Sequence, residues 1–267
     1  MGILIKTGAA LLGLSVLLVG LTFNFLRAQD LGPRETGSRA MASETRAVSA
    51  EVVEVRLEGS IDLVLRQGPV PAMSVRAEQR LLANLVTVQE GKVLRISSKG
   101  VIINLRRPIR VELTLPALQQ LEVKGSGDSM VTGFSGDALQ LSLNGAGDVK
   151  FEGNYRHLNG SVSGSGDLRI DAGDSNNVEL TMLGSGDVFV SGATRALKAA
   201  LTGSGDLHGE TLRADAVEVA ALGSGDARVN AKSSVNLSLL GSGDVYVRGS
   251  PAQRVVTRRG SGDVTWE

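Results

Sequence analysis

Beyond residue 121, apolar and polar residues alternate in short runs that glycine cuts at nearly regular intervals. Leu139, Leu141 and Leu143 precede one such cut at Gly145, and Val149 and Phe151 follow it. The same columns recur as Val178, Leu180 and Met182 with Val188 and Val190, and as Val235, Leu237 and Leu239 with Val245 and Val247. A period of two marks strands with one buried face. The cuts share one tetrapeptide, Gly-(Ser or Ala)-Gly-Asp. Its first glycines are Gly125, Gly145, Gly164, Gly184, Gly203, Gly223, Gly241 and Gly260. Its second are Gly127, Gly147, Gly166, Gly186, Gly205, Gly225, Gly243 and Gly262. Successive copies lie 18 to 20 residues apart, the mark of a stacked repeat.

Midway between these corners lies a second polar break, such as Gly153-Asn154, Gly173-Asp174, Gly192-Ala193 or Gly249-Ser250-Pro251. Each repeat therefore reads as a two-stranded coil. A coil cannot bury its apolar columns alone, so neighbours stack in parallel about 4.8 Å apart. The expected fold is all-β, a parallel β-solenoid of about eight coils and roughly 35 to 40 Å. Glycine at the corners is expected because a reversal between packed flanks needs backbone at positive φ. Ala146 shows that the middle position needs only a small residue.

Ahead of the repeat, residues 7–26 form an uncharged stretch rich in Leu and Val, preceded by Lys6 and followed by Arg27. About 20 such residues suffice to cross a bilayer as a helix. A cleaved signal peptide is the competing reading, but Leu26, Arg27 and Ala28 make a poor cleavage site. The expected organisation is a signal or transmembrane anchor over 1–27, a flexible linker over 28–47 and a β domain over 48–267. Within that domain, 48–120 is expected to be an N-terminal β cap with a short helix near Arg80 to Leu85, and 121–267 the repeats. The protein is thus read as exported, anchored in the cytoplasmic membrane and facing the periplasm or exterior, or secreted if the segment is cleaved.

Composition narrows the function. Lys plus Arg and Asp plus Glu both number 28, so no basic field draws the chain to nucleic acid. With no cysteine there are no disulfides, thiolate metal sites, cysteine nucleophiles or lipidated N-terminal cysteine. The aromatic share is only 3%, which leaves Val, Leu, Ile and Ala to fill the core.

The corner repeat, with the upstream strand from Pro108 to Pro116, the run Val64-Leu65-Arg66-Gln67-Gly68, Leu81-Leu82 and Gly91-Lys92-Val93-Leu94-Arg95-Ile96, resembles the bacterial head GIN domain family. Its members are described as putative autotransporter adhesins, formerly a domain of unknown function. The resemblance covers about residues 48–267 and implies a parallel β-helix similar to the pectate-lyase type, with adhesion suggested by that shape. One departure is that only Val264, Thr265, Trp266 and Glu267 follow Asp263, so no translocator barrel is expected within this sequence.

Stacking aligns Asp128, Asp148, Asp167, Asp187, Asp206, Asp226, Asp244 and Asp263 along one edge, where exposed neighbours repel by somewhat under about 1 kcal/mol. Two reliefs are open. Each Asp can accept hydrogen bonds from backbone N–H groups or from the serine of an adjacent corner. Alternatively Asp148, Asp167, Asp187, Asp206, Asp226 and Asp244, with glycine carbonyls, could bind calcium, although the calcium-binding nonapeptide pattern Gly-Gly-x-Gly-x-Asp is not reproduced. The first is the expected relief, and no other cofactor is expected.

No catalytic residues are expected. His157 and His208 are the only histidines and sit near turns or strand ends, without a serine partner. Eight equivalent carboxylates argue against a glycosidase or lyase, which needs two carboxyls in different environments. Trp266 falls in the alternating column of Val190, Val229 and Val247 and is expected to pack rather than stack a ligand. Arg254, Arg258 and Arg259 are read as protecting the open edge of the last coil. The expected function is a non-enzymatic envelope protein that presents a repetitive binding surface, adhesin-like. Its alternatives are a periplasmic envelope-maintenance scaffold and, last, a carbohydrate-active enzyme. Expected partners are the membrane, through the N-terminal segment, and an envelope or surface ligand, glycan or protein. Homo-oligomerisation stays open.

Overall fold

The computed structural model describes residues 40–100 and 107–267, all within the unit Arg39–Glu267. The expected membrane segment at 7–26 lies outside the described residues. Among the described residues no helix is long and apolar enough to cross a membrane.

From the first corner on, the chain is a parallel solenoid. Strands β9 (Ser129–Gly145), β10 (Val149–Gly164), β11 (Leu168–Gly184), β12 (Val188–Gly203), β13 (Leu207–Gly223) and β14 (Ala227–Gly241) each pair in parallel with the next. The final turn comprises β15 (Val245–Arg248) and β16 (Gln253–Gly260), and β17 (Val264–Trp266) closes the stack on β15. The eight Gly-(Ser or Ala)-Gly-Asp corners enclose seven intervals, so the repeats make about seven turns rather than eight.

The expectation of two separate strands per coil is corrected as well. In β9 through β14 the chain stays in strand conformation from one corner to the next and bends at a bulge, as between Glu152 and His157. The polar midpoints such as Gly153-Asn154 therefore turn the strand without ending it, because a bulge changes direction at the cost of one ladder position. From β9 onward, Gly249-Ser250-Pro251 is the one midpoint that interrupts a coil outright. Proline there lacks the N–H that a continuous ladder would need.

Each coil thus has a short flank after its corner and a longer flank before the next. Both send alternate residues into one core, exemplified by Val188 and Val190 on the short flank and Leu197, Ala199 and Leu201 on the long one. Burying a Val or Leu side chain stabilises by about 1.5 to 3 kcal/mol, and it does so only when another coil covers it.

The N-terminal part stacks directly on the repeats. β2 (Glu54–Gly59) pairs in parallel with β8 (Gln120–Gly125), and β3 (Ile61–Gln67) with β9. Gly59-Ser60-Ile61-Asp62 is therefore one more corner, seated against Gly125-Ser126-Gly127-Asp128, and the Ser60 and Ser126 hydroxyls meet at 2.7 Å. β6 (Val93–Ser98) and β7 (Ile109–Leu115) lie on the far side of β2 and β3. Antiparallel strands then finish the stack. β5 (Leu85–Glu90) covers β6, β4 (Ala72–Glu78) covers β7, and β1 (Met41–Arg46) pairs in turn with β4. The strand β1 occupies the last part of the expected linker 28–47, so the folded domain starts earlier than residue 48. The expected helix is a single turn, α1 (Gln79–Leu82). Arg46 ties β1 to it by donating to the carbonyls of Leu82 and Leu85.

Tyr155 is buried at the bend of β10 and donates its hydroxyl to the Leu118 carbonyl at 2.6 Å. Burial pushes its pKa up to about 12, since the phenolate would lose hydration. At the opposite end β16 is exposed throughout. Arg254, Val256 and Arg258 there continue the core columns of Val235, Leu237 and Leu239. Arg254 lies over the Trp266 ring at 4.2 Å, and Trp266 packs against the core. Charged side chains on inward-facing positions of the last coil disfavour addition of another strand.

The two glycines of a corner are required for different reasons. Gly184 has φ of 133°, a conformation that L side chains rarely adopt. Gly186 does not, yet a Cβ there would lie 2.0 Å from the Gly166 carbonyl oxygen. Close approach of stacked backbones, not conformation, excludes a side chain at the second position. Gly186→Val is expected to lower stability by about 3 kcal/mol or more, against at most about 0.5 kcal/mol for the exposed Ser185→Ala. Equal melting temperatures for both variants and the parent would contradict this packing.

Candidate functional site

The corner aspartates form a hydrogen-bonded relay. Oδ1 of each accepts the backbone N–H of the aspartate one coil further on. The relay begins at Asp62, whose carboxylate accepts from Asp128 at 3.2 Å. It continues through Asp128, Asp148, Asp167, Asp187, Asp206 and Asp226 to Asp244, which accepts from Asp263 at 2.8 Å. Each corner carbonyl is also used, as where Leu168 N donates to the Asp187 carbonyl at 2.9 Å. A carboxylate that accepts from an N–H has a local structural partner. Among the described residues no group of three or more His, Asp or Glu converges as a metal site. The six aspartates named for calcium stand one per coil, each engaged in this relay.

The outward column of the short flank runs Lys150, Arg169, Phe189, His208, Arg228 and Tyr246 in register. Its planar groups stack on one another. The Arg169 guanidinium lies 4.6 Å from the Phe189 centroid, and His208 stacks on the same ring at 4.5 Å and 8°. Arg228 covers Tyr246 at 5.1 Å. Arg169 also pairs with Asp167 at 3.0 Å, and Lys150 with Glu152 at 2.8 Å. Both ring faces of Phe189 are therefore occupied from within the protein. The column is a side-chain ladder, not an open aromatic platform.

The long flank is different. Two neighbouring outward columns run along it. One contains Gln140, Asn159, Glu179, Lys198, Glu218 and Asn236. The other contains Ala138, His157, Asn177, Ala196, Ala216 and Ser234. The first column is exposed at every position named, whereas Ala196, Ala216 and Ser234 are half-buried. Long polar side chains beside small ones leave a shallow groove parallel to the solenoid axis. It comprises two hollows of about 660 and 470 Å³ that share Asn177 and Glu179. Leu118, Gln119 and Ser135 to Asp137 line its first end.

His157 lies in this groove with its Nδ1 3.2 Å from the Asn177 amide nitrogen. His208 stands on the other flank against Phe189. The two histidines are not brought together, and the corner serines are on neither histidine. The groove is not legible in the sequence. Its only signal was the run of amide, carboxylate and lysine side chains two residues from a run of small ones, repeated once per coil.

Comparison with known proteins agrees with the architecture. The family described as putative auto-transporter adhesin, head GIN domain, matches residues 53–251. A putative adhesin from Parabacteroides distasonis superposes with a TM-score of 0.80 at 22% identity, covering 86% of this chain and 98% of that one. A putative adhesin from Parabacteroides merdae gives a TM-score of 0.80 at 18% identity with the same coverage. A putative lipid binding protein from Parabacteroides distasonis gives 0.75 at 21%, again covering 86% and 98%. At these identities the likeness is one of fold. No curated protein matches the sequence.

The relay sets an expectation for the corners. Asp187→Ala removes the acceptor of the Asp206 N–H and should cost about 1 to 3 kcal/mol, whereas Asp187→Asn keeps an acceptor oxygen and should cost less than half as much. Because the relay supplies each carboxylate with a partner, melting curves recorded with calcium and with chelator should coincide. A calcium-dependent rise in melting temperature, lost in Asp187→Asn, would contradict this account.

Proposed function

We propose, for a chain that belongs to the head GIN domain family of putative auto-transporter adhesins, a non-enzymatic role as a binding protein of the cell envelope. It displays a regular surface outside the cytoplasmic membrane and is adhesin-like, in keeping with the descriptions of its structural neighbours. The observation that carries this reading is the repetition itself. Six or more coils set the same outward positions in register. Such a surface multiplies one contact many times, which suits an extended ligand.

Catalysis asks for the opposite arrangement, two or three unlike groups whose environments drive their proton affinities apart. The corner carboxylates repeat one arrangement, each from Asp62 to Asp244 accepting the same kind of backbone N–H bond. Neither histidine has a nucleophile and an orienting acid beside it. A carbohydrate-active enzyme is therefore the weakest of the alternatives, and resemblance to catalytic solenoids does not restore it.

Display outside the membrane rests on the apolar segment 7–26, whose length suits an anchor or an export signal. Protease treatment of intact and of permeabilised cells tests it. Digestion of the solenoid in intact cells is the expected result for an adhesin. Protection until the outer barrier is opened would instead assign the same surface to a periplasmic scaffold.

A further inference from the structure

We infer that the groove on the long flank binds an uncharged, extended oligosaccharide laid along the solenoid axis. The inference rests on the reading of the chain as a binding protein and supplies its ligand class and site.

Spacing is the first reason. Wall side chains such as Gln140, Asn159, Glu179 and Lys198 recur once per coil in unbroken register, a step of about 4.8 Å. An extended polypeptide advances about 3.4 Å per residue, and its like-facing side chains about 6.8 Å. Neither step matches the wall. One hexopyranose unit of an extended β-1,4-linked chain advances by nearly one coil and successive units are turned over, so every second sugar, two coils on, presents the same edge to an equivalent pair of protein side chains.

Chemistry is the second reason. The amides of Gln140, Asn159, Asn177 and Asn236 both donate and accept, as sugar hydroxyls do. The charged members of the wall are Glu179, Lys198 and Glu218, a formal sum of −1. That sum attracts neither a polyanion nor a strongly cationic chain. Among the described residues Lys198 makes no ion pair with either glutamate, although it lies one coil from each, and the three head groups stay available. The half-buried Ala196, Ala216 and Ser234 keep the floor low, so a ring can approach the wall from the side. By contrast, the short flank spends its rings and cations on its own ladder.

The test uses the full chain titrated with cellohexaose and chitohexaose and with the corresponding disaccharides. At least one hexasaccharide should bind with Kd below about 1 mM. It should bind at least about tenfold more tightly than its disaccharide, since the groove spans several sugars. Ala216→Trp, which fills the floor, and the exposed double variant Asn159→Ala with Asn236→Ala should each weaken binding about tenfold or more. Lys150→Ala on the opposite flank should leave it unchanged. The double variant keeps the test decisive if Ala216→Trp does not fold.

Absence of binding by either hexasaccharide, or binding that ignores both chain length and the groove variants, would overturn the inference. The outcomes separate it from the broader reading. A surface-exposed chain that binds no sugar loses the glycan and keeps the display role. A chain that cleaves the hexasaccharide it binds keeps the groove and loses the non-enzymatic role.

Discussion

The structure depends on how closely one corner can sit on the corner beneath it. At Gly186 the carbonyl of Gly166 occupies the space that a Cβ would need. In that tight seat the N–H of Asp206 reaches the carboxylate of Asp187, and the N–H of Leu168 reaches the Asp187 carbonyl. A corner thus supplies both the absence of bulk that lets backbones meet and the charged acceptor that fixes them once they have met. The like-charge repulsion along such a ladder is modest in water, and a charge-assisted hydrogen bond from each N–H offsets it.

Register follows from this contact. In a strand a slip of one residue exchanges the buried and exposed faces, so a corner that admits one alignment only fixes every column between two corners. The inward columns then build one continuous core. The outward ones build either a self-satisfied ladder, as from Arg169 through Phe189 to His208, or an open row of hydrogen-bonding groups, as from Asn159 through Glu179 to Lys198. Side-chain shape decides which of the two a flank becomes. Flat groups at the coil spacing stack on each other, whereas amides and carboxylates beside alanines do not.

Much of the fold was legible in the sequence because the corner is a short, nearly invariant word with glycine at both sterically forced positions. The period of two, the parallel stack and the shared core follow from it. The continuous strands of β9 through β14 were not legible, since Gly153-Asn154 and Gly173-Asp174 have the composition of a turn whether the ladder stops or merely bulges. The coil of β2 and β3 was hidden by Ile61, which replaces the second glycine. The carbonyl of Ile61 still serves as the seat of Gly127, because the side chain of the lower partner points elsewhere. The groove was hidden for a further reason. Gln140, Asn159 and Glu179 are each an ordinary exposed residue, and only stacking makes them neighbours.

If the corners are interchangeable seats, a whole coil is a removable unit. Deletion of residues 168–187 joins Asp167 directly to Val188, which already occupies the column position of Leu168. The shortened chain is expected to keep its β signal and a cooperative thermal transition, because each remaining corner still meets an equivalent partner. Loss of cooperative folding after this in-register deletion would contradict the account of the solenoid as a stack of equivalent coils.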